Sequence, residues 1–351
     1  MSLFSTISIQ DRVSFAKNLS IMLRSGIAIN DALATLGEQS SNKRFTEILE
    51  SIRQDIENGT SLSKAFSKQT KIFGVIFVSM IKAGEQSGTL QGNLQFLAEW
   101  LSRSSDLRNE VNPATLYPKL VFGASLLLGG GLAVFILPML VPLFNGLSIK
   151  LPWITRTLLA LSVFVQHFWL LTIVAVFSIY GGFKYINRIF LVRRFFHGMY
   201  LGFPLIGSLL KHYQLALITQ LFSTLLKSGL SLNESVDIVS QAATNIHYTA
   251  ALLKIKNSVE KGTTLSNSMI AFPNLFPKII INIISIGEQS GTLTNSFDYL
   301  SEFYTKEVNI ETKRLPTIIE PLLLVFIAVI VGFIALSVIM PIYELTGSIS
   351  R

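Results

Sequence analysis

The sequence predicts an all-α membrane protein: two homologous cytosolic helical bundles of about six helices each, plus three transmembrane helices. Three observations predict it. Half of the 351 residues are hydrophobic and only 14% are charged. Mean hydropathy is +0.52, too apolar for an ordinary soluble chain. The apolar residues gather into three stretches long enough to cross a bilayer. Outside those stretches the chain repeats itself: Gly84-Glu85-Gln86-Ser87-Gly88-Thr89-Leu90 recurs letter for letter as Gly287-Glu288-Gln289-Ser290-Gly291-Thr292-Leu293, at an offset of 203 residues.

Other anchors keep the same offset. Gly26 matches Gly229, Asn30 matches Asn233, and Gly59-Thr60 matches Gly262-Thr263. Downstream, Pro113, Pro118 and Pro138 match Pro316, Pro321 and Pro341. No gap is needed between them, so one unit is present twice.

In chain order, Ser8 caps the first helix with Asp11 as its capping-box partner. Phe15, Leu19, Met22 and Leu23 then recur at helical spacing. Gly26 supplies the left-handed stop. Asn30 is the expected cap of a second helix, carrying Leu33 and Leu36. A third runs from Arg44 to Asn58, and Ser61 or Ser63 opens a short fourth. Phe73 to Ala83 is a more apolar helix, expected to stop at Gly84. Leu90, Leu94, Leu97 and Leu101 then mark a longer one. Pro113 and Pro118 are read as the end of the bundle.

These signals divide the chain into a first bundle at 1–117, a first span at 118–144, a short extracytoplasmic loop at 145–157 and a second span at 158–183. A second bundle follows at 184–315, then a third span at 316–343 and an extracytoplasmic tail at 344–351. Gly129, Gly130 and Gly131 give the first span a small-residue face for close helix approach. The second span holds Gln166 and His167, expected to hydrogen-bond to another helix. Lys184, Arg188, Arg193 and Arg194 follow it, against Lys150 and Arg156 in the opposite loop. That contrast puts residue 184 onward in the cytoplasm. Met1 to Gln10 is too short and polar for a signal-peptide core, which places the N-terminus there as well.

Net charge is +8. In a membrane protein this is the basic excess that sets topology, rather than a nucleic-acid surface. Cysteine is absent, which removes disulfides and thiolate chemistry. His167, His197, His212 and His247 lack metal-ligand spacing. The chain has no Walker-type phosphate loop, no Gly-x-Ser-x-Gly elbow and no His-Glu-x-x-His. No catalytic residue, cofactor or metal is expected, and the chain is read as a non-enzyme.

The candidate interaction residues are Gly84, Glu85, Gln86, Ser87 and Gly88, their copies Gly287, Glu288, Gln289, Ser290 and Gly291, and Glu320. Two readings of the heptapeptide stand side by side. It is an interhelical turn that any stable copy needs, or it presents Glu85 and Glu288 on a contact surface or to an ion. A turn needs glycine and a capping residue, yet Glu and Gln also persist in both copies. Glu320 lies just inside the third span, before Pro321. It is either a carboxylate favoured at a helix N-terminus or a polar contact to another span or partner.

Each copy carries Leu-(Arg/Lys)-Ser-Gly, then Gly-Thr-(Ser/Thr)-Leu-Ser, then Gly-Glu-Gln-Ser-Gly-Thr-Leu. This pattern resembles the type II secretion F protein family, the inner-membrane platform proteins of type II secretion, type IV pilus and competence pilus machines. The likeness runs from about Phe15 to Tyr343, and the Tyr117-Pro118 and Glu320-Pro321 pairs fit it. Many members carry a further segment before the first bundle, which here begins almost at once.

The resemblance implies a multi-pass platform in the cytoplasmic (inner) membrane, acting as a homodimer or higher oligomer. Its partners would be a cytosolic hexameric assembly ATPase, pilin-like or pseudopilin subunits, other inner-membrane assembly proteins and the lipid bilayer. No nucleic acid would bind directly. Motion of the ATPase would be passed to the platform, which lifts subunits from the bilayer into a filament. The alternative is a transporter or permease subunit. That needs polar groups along several spans, and only Gln166, His167 and Glu320 qualify.

Overall fold

The computed structural model describes residues 7–136, 138–139, 153–186, 192, 198–199 and 206–349. Among them the protein is all-α. The first repeat comprises α1 (Ile9–Arg24), α2 (Ile29–Gln39), α3 (Lys43–Glu57), α4 (Leu62–Ser67), the single turn α5 (Thr70–Phe73), α6 (Val75–Ser87) and the start of α7 (Leu90–Gly131). A π-helical segment follows, Leu132–Ile136, then α8 (Trp153–His167) and α9 (Trp169–Ile186). The second repeat comprises α10 (Ile206–Lys227), α11 (Leu232–Ala242), α12 (Ile246–Glu260), α13 (Leu265–Ile270), α14 (Lys278–Ser290) and the start of α15 (Leu293–Ile349).

The chain forms two compact units. One holds both repeats, Met1–Glu110 and Arg194–Ile310; the other holds Val111–Arg193 and Glu311–Arg351. In the first unit, each repeat closes around its own apolar core. The core of repeat one includes a cluster of five phenylalanines: Phe15, Phe45, Phe66, Phe73 and Phe77 are all at most 4% exposed. Their neighbouring ring centroids lie 4.7–6.1 Å apart. The same positions in repeat two are Ile218, Tyr248, Met269, Phe276 and Ile280, all buried. Apolar bulk is kept while shape changes, the kind of exchange that cores tolerate. The hydroxyl of Tyr248 is satisfied by donating to the Leu275 carbonyl at 3.0 Å.

Local signals explain most helix ends. Ser8 and Asp11 form the expected capping box: Asp11 N–H donates to Ser8 Oγ at 3.0 Å and Ser8 N–H to the Asp11 carboxylate at 2.8 Å. Gly26 takes a φ of 82° and Gly229 one of 85°, which only glycine adopts without strain. The cap expected at Asn30 falls two residues earlier. Helix α2 begins at Ile29 after Ala28, so Asn30 sits inside its first turn. Its copy Asn233 is likewise inside α11, whose cap is Ser231 in a box with Glu234. The chain leaves the left-handed glycine extended and re-enters helix before it reaches the asparagine.

The compact units divide close to the first of these prolines, after Glu110, but the prolines do not stop the helices. Helix α7 continues through Pro113 and Pro118, and α15 continues through Pro316, Pro321 and Pro341. Each proline forfeits one backbone bond, but long helix on both sides keeps the segment helical, since elongation needs no new nucleus.

Two helices among the described residues are long and apolar enough to cross a membrane, Leu90–Phe135 and Leu293–Ser337. The most apolar window of the second has a mean hydropathy of 2.8, and only 6% of it is buried. A soluble core helix of that composition would be covered; here Leu127, Leu128 and Leu322 stand exposed. The stretch expected as the second span is divided at Phe168 into α8 and α9. The backbone still bonds across the division, from Phe168 N–H to Phe164 and from Thr172 N–H to Phe168.

Within the second unit, α8 packs on the π-helical segment. Ser162 Oγ donates to the Ala133 carbonyl at 2.8 Å and Gln166 Nε2 to that of Val134 at 2.6 Å. A π-helical turn leaves carbonyls available for such donors. The expected interhelical bond therefore exists for Gln166, whereas the ring of His167 meets Phe168 edge-on. Gly129 lets α7 and α15 approach, since a Cβ there would come within 2.7 Å of Ile330. Most of the expected loop, 145–152, lies outside the described residues, as do Lys150, Arg188, Arg193, Arg194 and the last two residues of the tail.

Candidate functional site

The two heptapeptides adopt the same geometry. Each begins inside a helix rather than after it. Gly84 is a helical residue of α6, and the helix runs on through Glu85, Gln86 and Ser87. The left-handed residue is Gly88, with φ 71°, matched by Gly291 at 69°. The stop expected at Gly84 is thus four residues later. Gly84 does something else: a Cβ there would lie 2.7 Å from the Leu90 backbone and 3.2 Å from Asn93. At Gly287 a Cβ would collide with Ser296. The first glycine of each motif permits close packing onto the next helix, and the second reverses the chain.

The carboxylates present in both copies bond to a neighbouring helix of their own repeat. Glu85 accepts hydrogen bonds from the backbone N–H of Leu62 at 2.7 Å and of Ser63 at 3.1 Å, and from the Ser63 hydroxyl. Glu288 repeats this with Leu265 at 2.6 Å, Ser266 at 3.1 Å and the Ser266 hydroxyl. These N–H groups open the short helices α4 and α13, where no intrahelical acceptor exists and a negative charge is favoured. Ser61 makes no side-chain capping bond at α4, so Glu85 supplies the acceptor from 23 residues away. The serines were the partners that the heptapeptide alone did not reveal. Their signal was present, since Gly-Thr-(Ser/Thr)-Leu-Ser also occurs twice at the same offset.

The remaining motif side chains are local or face outward. Ser87 donates to the Ala83 carbonyl at 2.7 Å and pairs with Thr89 at 2.6 Å; Ser290 does the same with Ile286 and Thr292. Gln86 is exposed, and Gln289 donates to Ser285 at 3.3 Å.

The surroundings of the two copies differ. Helix α6 packs against α11 of the second repeat. Gln86, Ser87 and Thr89 line a cavity of about 630 Å³ shared with Lys227, Ser228 and Gly229. Across that seam Lys82 helps to hold the Glu234 carboxyl below its ordinary value, after the larger effect of the Ser231 hydrogen bonds. The matching face of α14 leaves Ile279 and Ile286 exposed. The heptapeptides are therefore not brought together. Glu320 lies on α15 in the other unit and is exposed. Among the described residues no group of three or more His, Cys, Asp or Glu is placed to hold a metal.

A family model described as "Type II secretion system (T2SS), protein F" matches the chain twice, over residues 15–138 and 218–341. The two matches keep the offset of the heptapeptides and cover most of the chain. The chain belongs to the type II secretion system protein F family. It is 31% identical to the type IV pilus assembly protein PilC of Thermus thermophilus, over 97% of this chain and 84% of that protein. It is 28% identical to the PilC of Pseudomonas aeruginosa, over 95% and 90%. Similarity extends equally to the type II secretion system protein F of Xanthomonas campestris, 28% over 96% and 83%. The family likeness thus reaches both pilus and secretion relatives, and both helical repeats are T2SSF domains.

Proposed function

We propose that this protein is an integral platform of a type IV pilus or type II secretion assembly machine in the cytoplasmic membrane. The observation that carries this reading is the pairing of two T2SSF domains with two long helices whose apolar surface is uncovered. The helices suit lipid, and the repeats offer two related polar surfaces to soluble partners. In this reading both repeats face the cytosol. They receive force from a hexameric assembly ATPase, and the spans pass it to pilin-like or pseudopilin subunits as those enter a filament. Other inner-membrane assembly proteins and a second copy of the chain complete the platform. The chain itself performs no covalent step.

The competing reading, a permease, needs a polar path through the spans. Gln166 is already bonded to the Val134 carbonyl, which favours a packing role. Two measurements separate the readings. Deleting the gene abolishes surface filaments or secretion while solute uptake stays normal, and proteoliposomes holding the purified chain accumulate no solute. Solute uptake in proteoliposomes together with intact filaments in the deletion strain contradicts the proposal.

A further inference from the structure

A second cavity, of about 360 Å³, lies between the two repeats within the first unit. Its size is that of an ordinary small-molecule site. Arg12 of α1 and Arg108 of α7 both line it, and among the described residues no acidic one does. Trp100 and Tyr213 contribute aromatic surface, and Leu217 and Val239 contribute apolar wall.

Among the described residues neither arginine has an ion-pair partner within 4 Å, and the charge of Asp11 offsets only part of what acts on Arg12. Arg12 Nη1 donates to the Ile72 carbonyl at 3.3 Å, but its Nε is buried with no partner. Neighbouring Asp11 is used at the cap of α1. Burial, and then the charge of Arg108, push the Arg12 guanidinium below its ordinary value. Trp100 Nε1 is also buried without a partner. A half-buried guanidinium facing a second, exposed one, with two buried donors unused, favours the entry of an anion.

We infer that the cavity between the repeats binds a small organic phosphate bearing a flat ring, with Arg12 and Arg108 on the phosphate and the ring against the aromatic and apolar walls. Guanidinium groups match phosphate oxygens in pairs. Aromatic surface gives a flat ring a low-entropy contact. The assignment does not rest on the platform reading.

The test uses the full chain in detergent with Trp153→Phe and Trp169→Phe, which leaves Trp100 as the only tryptophan. ADP, adenosine and inorganic phosphate are titrated against its fluorescence. ADP is expected to give a saturable change, and adenosine and phosphate alone to bind more weakly. Arg108→Gln, at an exposed position, weakens ADP at least about tenfold. Arg12→Lys weakens it while keeping a donor for Ile72, and Ala242→Phe, on the cavity wall, abolishes it. Circular dichroism and gel filtration confirm that each variant is folded. The inference is overturned if ADP gives no saturable change up to about 10 mM, or if adenosine binds as well as ADP. It is equally overturned if folded Arg108→Gln and Ala242→Phe bind ADP like the parent, or if only an acidic peptide responds.

Discussion

At the scale of single residues, each heptapeptide divides its work among four positions. Glu85 and Glu288 cap a neighbouring helix, Gly84 and Gly287 admit the next helix, and Gly88 and Gly291 turn the chain. Glu85→Ala should lower stability by about 1–2 kcal/mol, the range for a lost helix cap, and Glu288→Ala by a similar amount. Thermal unfolding in detergent measures this; unchanged stability with lost filament assembly would instead assign the carboxylates to a contact surface. Gly88→Ala should cost about 1–2 kcal/mol from left-handed strain alone. Gly84→Ala acts by a different route, because the added methyl meets the Leu90 backbone. Acid should weaken the second repeat. Hydrogen bonds from Ser231 hold the Glu234 carboxyl below its ordinary value, and the hydrogen bond from Lys256 does the same for Asp237. Asp298 is also held low: burial opposes this, but Lys227 and Ser223 outweigh it. For depressed carboxyls the contribution is fully present above the unfolded values and is lost as pH falls through the folded ones. Unfolding midpoints should therefore be flat above about pH 5 and fall below about pH 4, with Asp237→Asn reducing the slope.

At the scale of elements, the repeat made the helix order and the left-handed turn at Gly26 legible, whereas the turn expected at Gly84 falls at Gly88. Periodicity marks which residues face inward and says little about where an element ends. Asn30 read as a cap because its side chain suits one, yet the chain was already helical at Ile29. Pro113 and Pro118 read as the end of the bundle, and the unit boundary does fall close by, after Glu110, yet α7 passes through both without stopping. The capping role of Glu85 was hidden for a related reason: it joins residues 23 apart, beyond the reach of turn rules. Gln166 was legible in kind, though its acceptor was not, since that carbonyl is presented by a π-helical segment no pattern announced. Gln166→Leu should cost roughly 1 kcal/mol or less, as interhelical bonds in apolar surroundings do. Gly129→Leu should cost more by forcing α7 and α15 apart at Ile330. Unfolding of the two variants in detergent ranks them, and equal effects would argue against the close approach.

At the scale of the whole molecule, duplication gives one chain two related domains with unequal surroundings. The α6 face of the first is covered by the second repeat, while the same face of the second leaves Ile279 and Ile286 uncovered. The proposed topology puts both domains on the cytosolic side. The chain holds no cysteine, so single cysteines report topology cleanly. Lys64→Cys and Asn267→Cys, at exposed positions of the two repeats, should react with a membrane-impermeant maleimide only after cells are lysed, and Ser148→Cys before. Purifying the tagged chain from native membranes and identifying what remains bound shows whether this protein receives force from an assembly ATPase. A hexameric assembly ATPase should be retained by the folded chain and lost when either T2SSF domain is deleted. A chain that purifies without any ATPase, in the presence of ADP or ATP, from cells actively building filaments would contradict it.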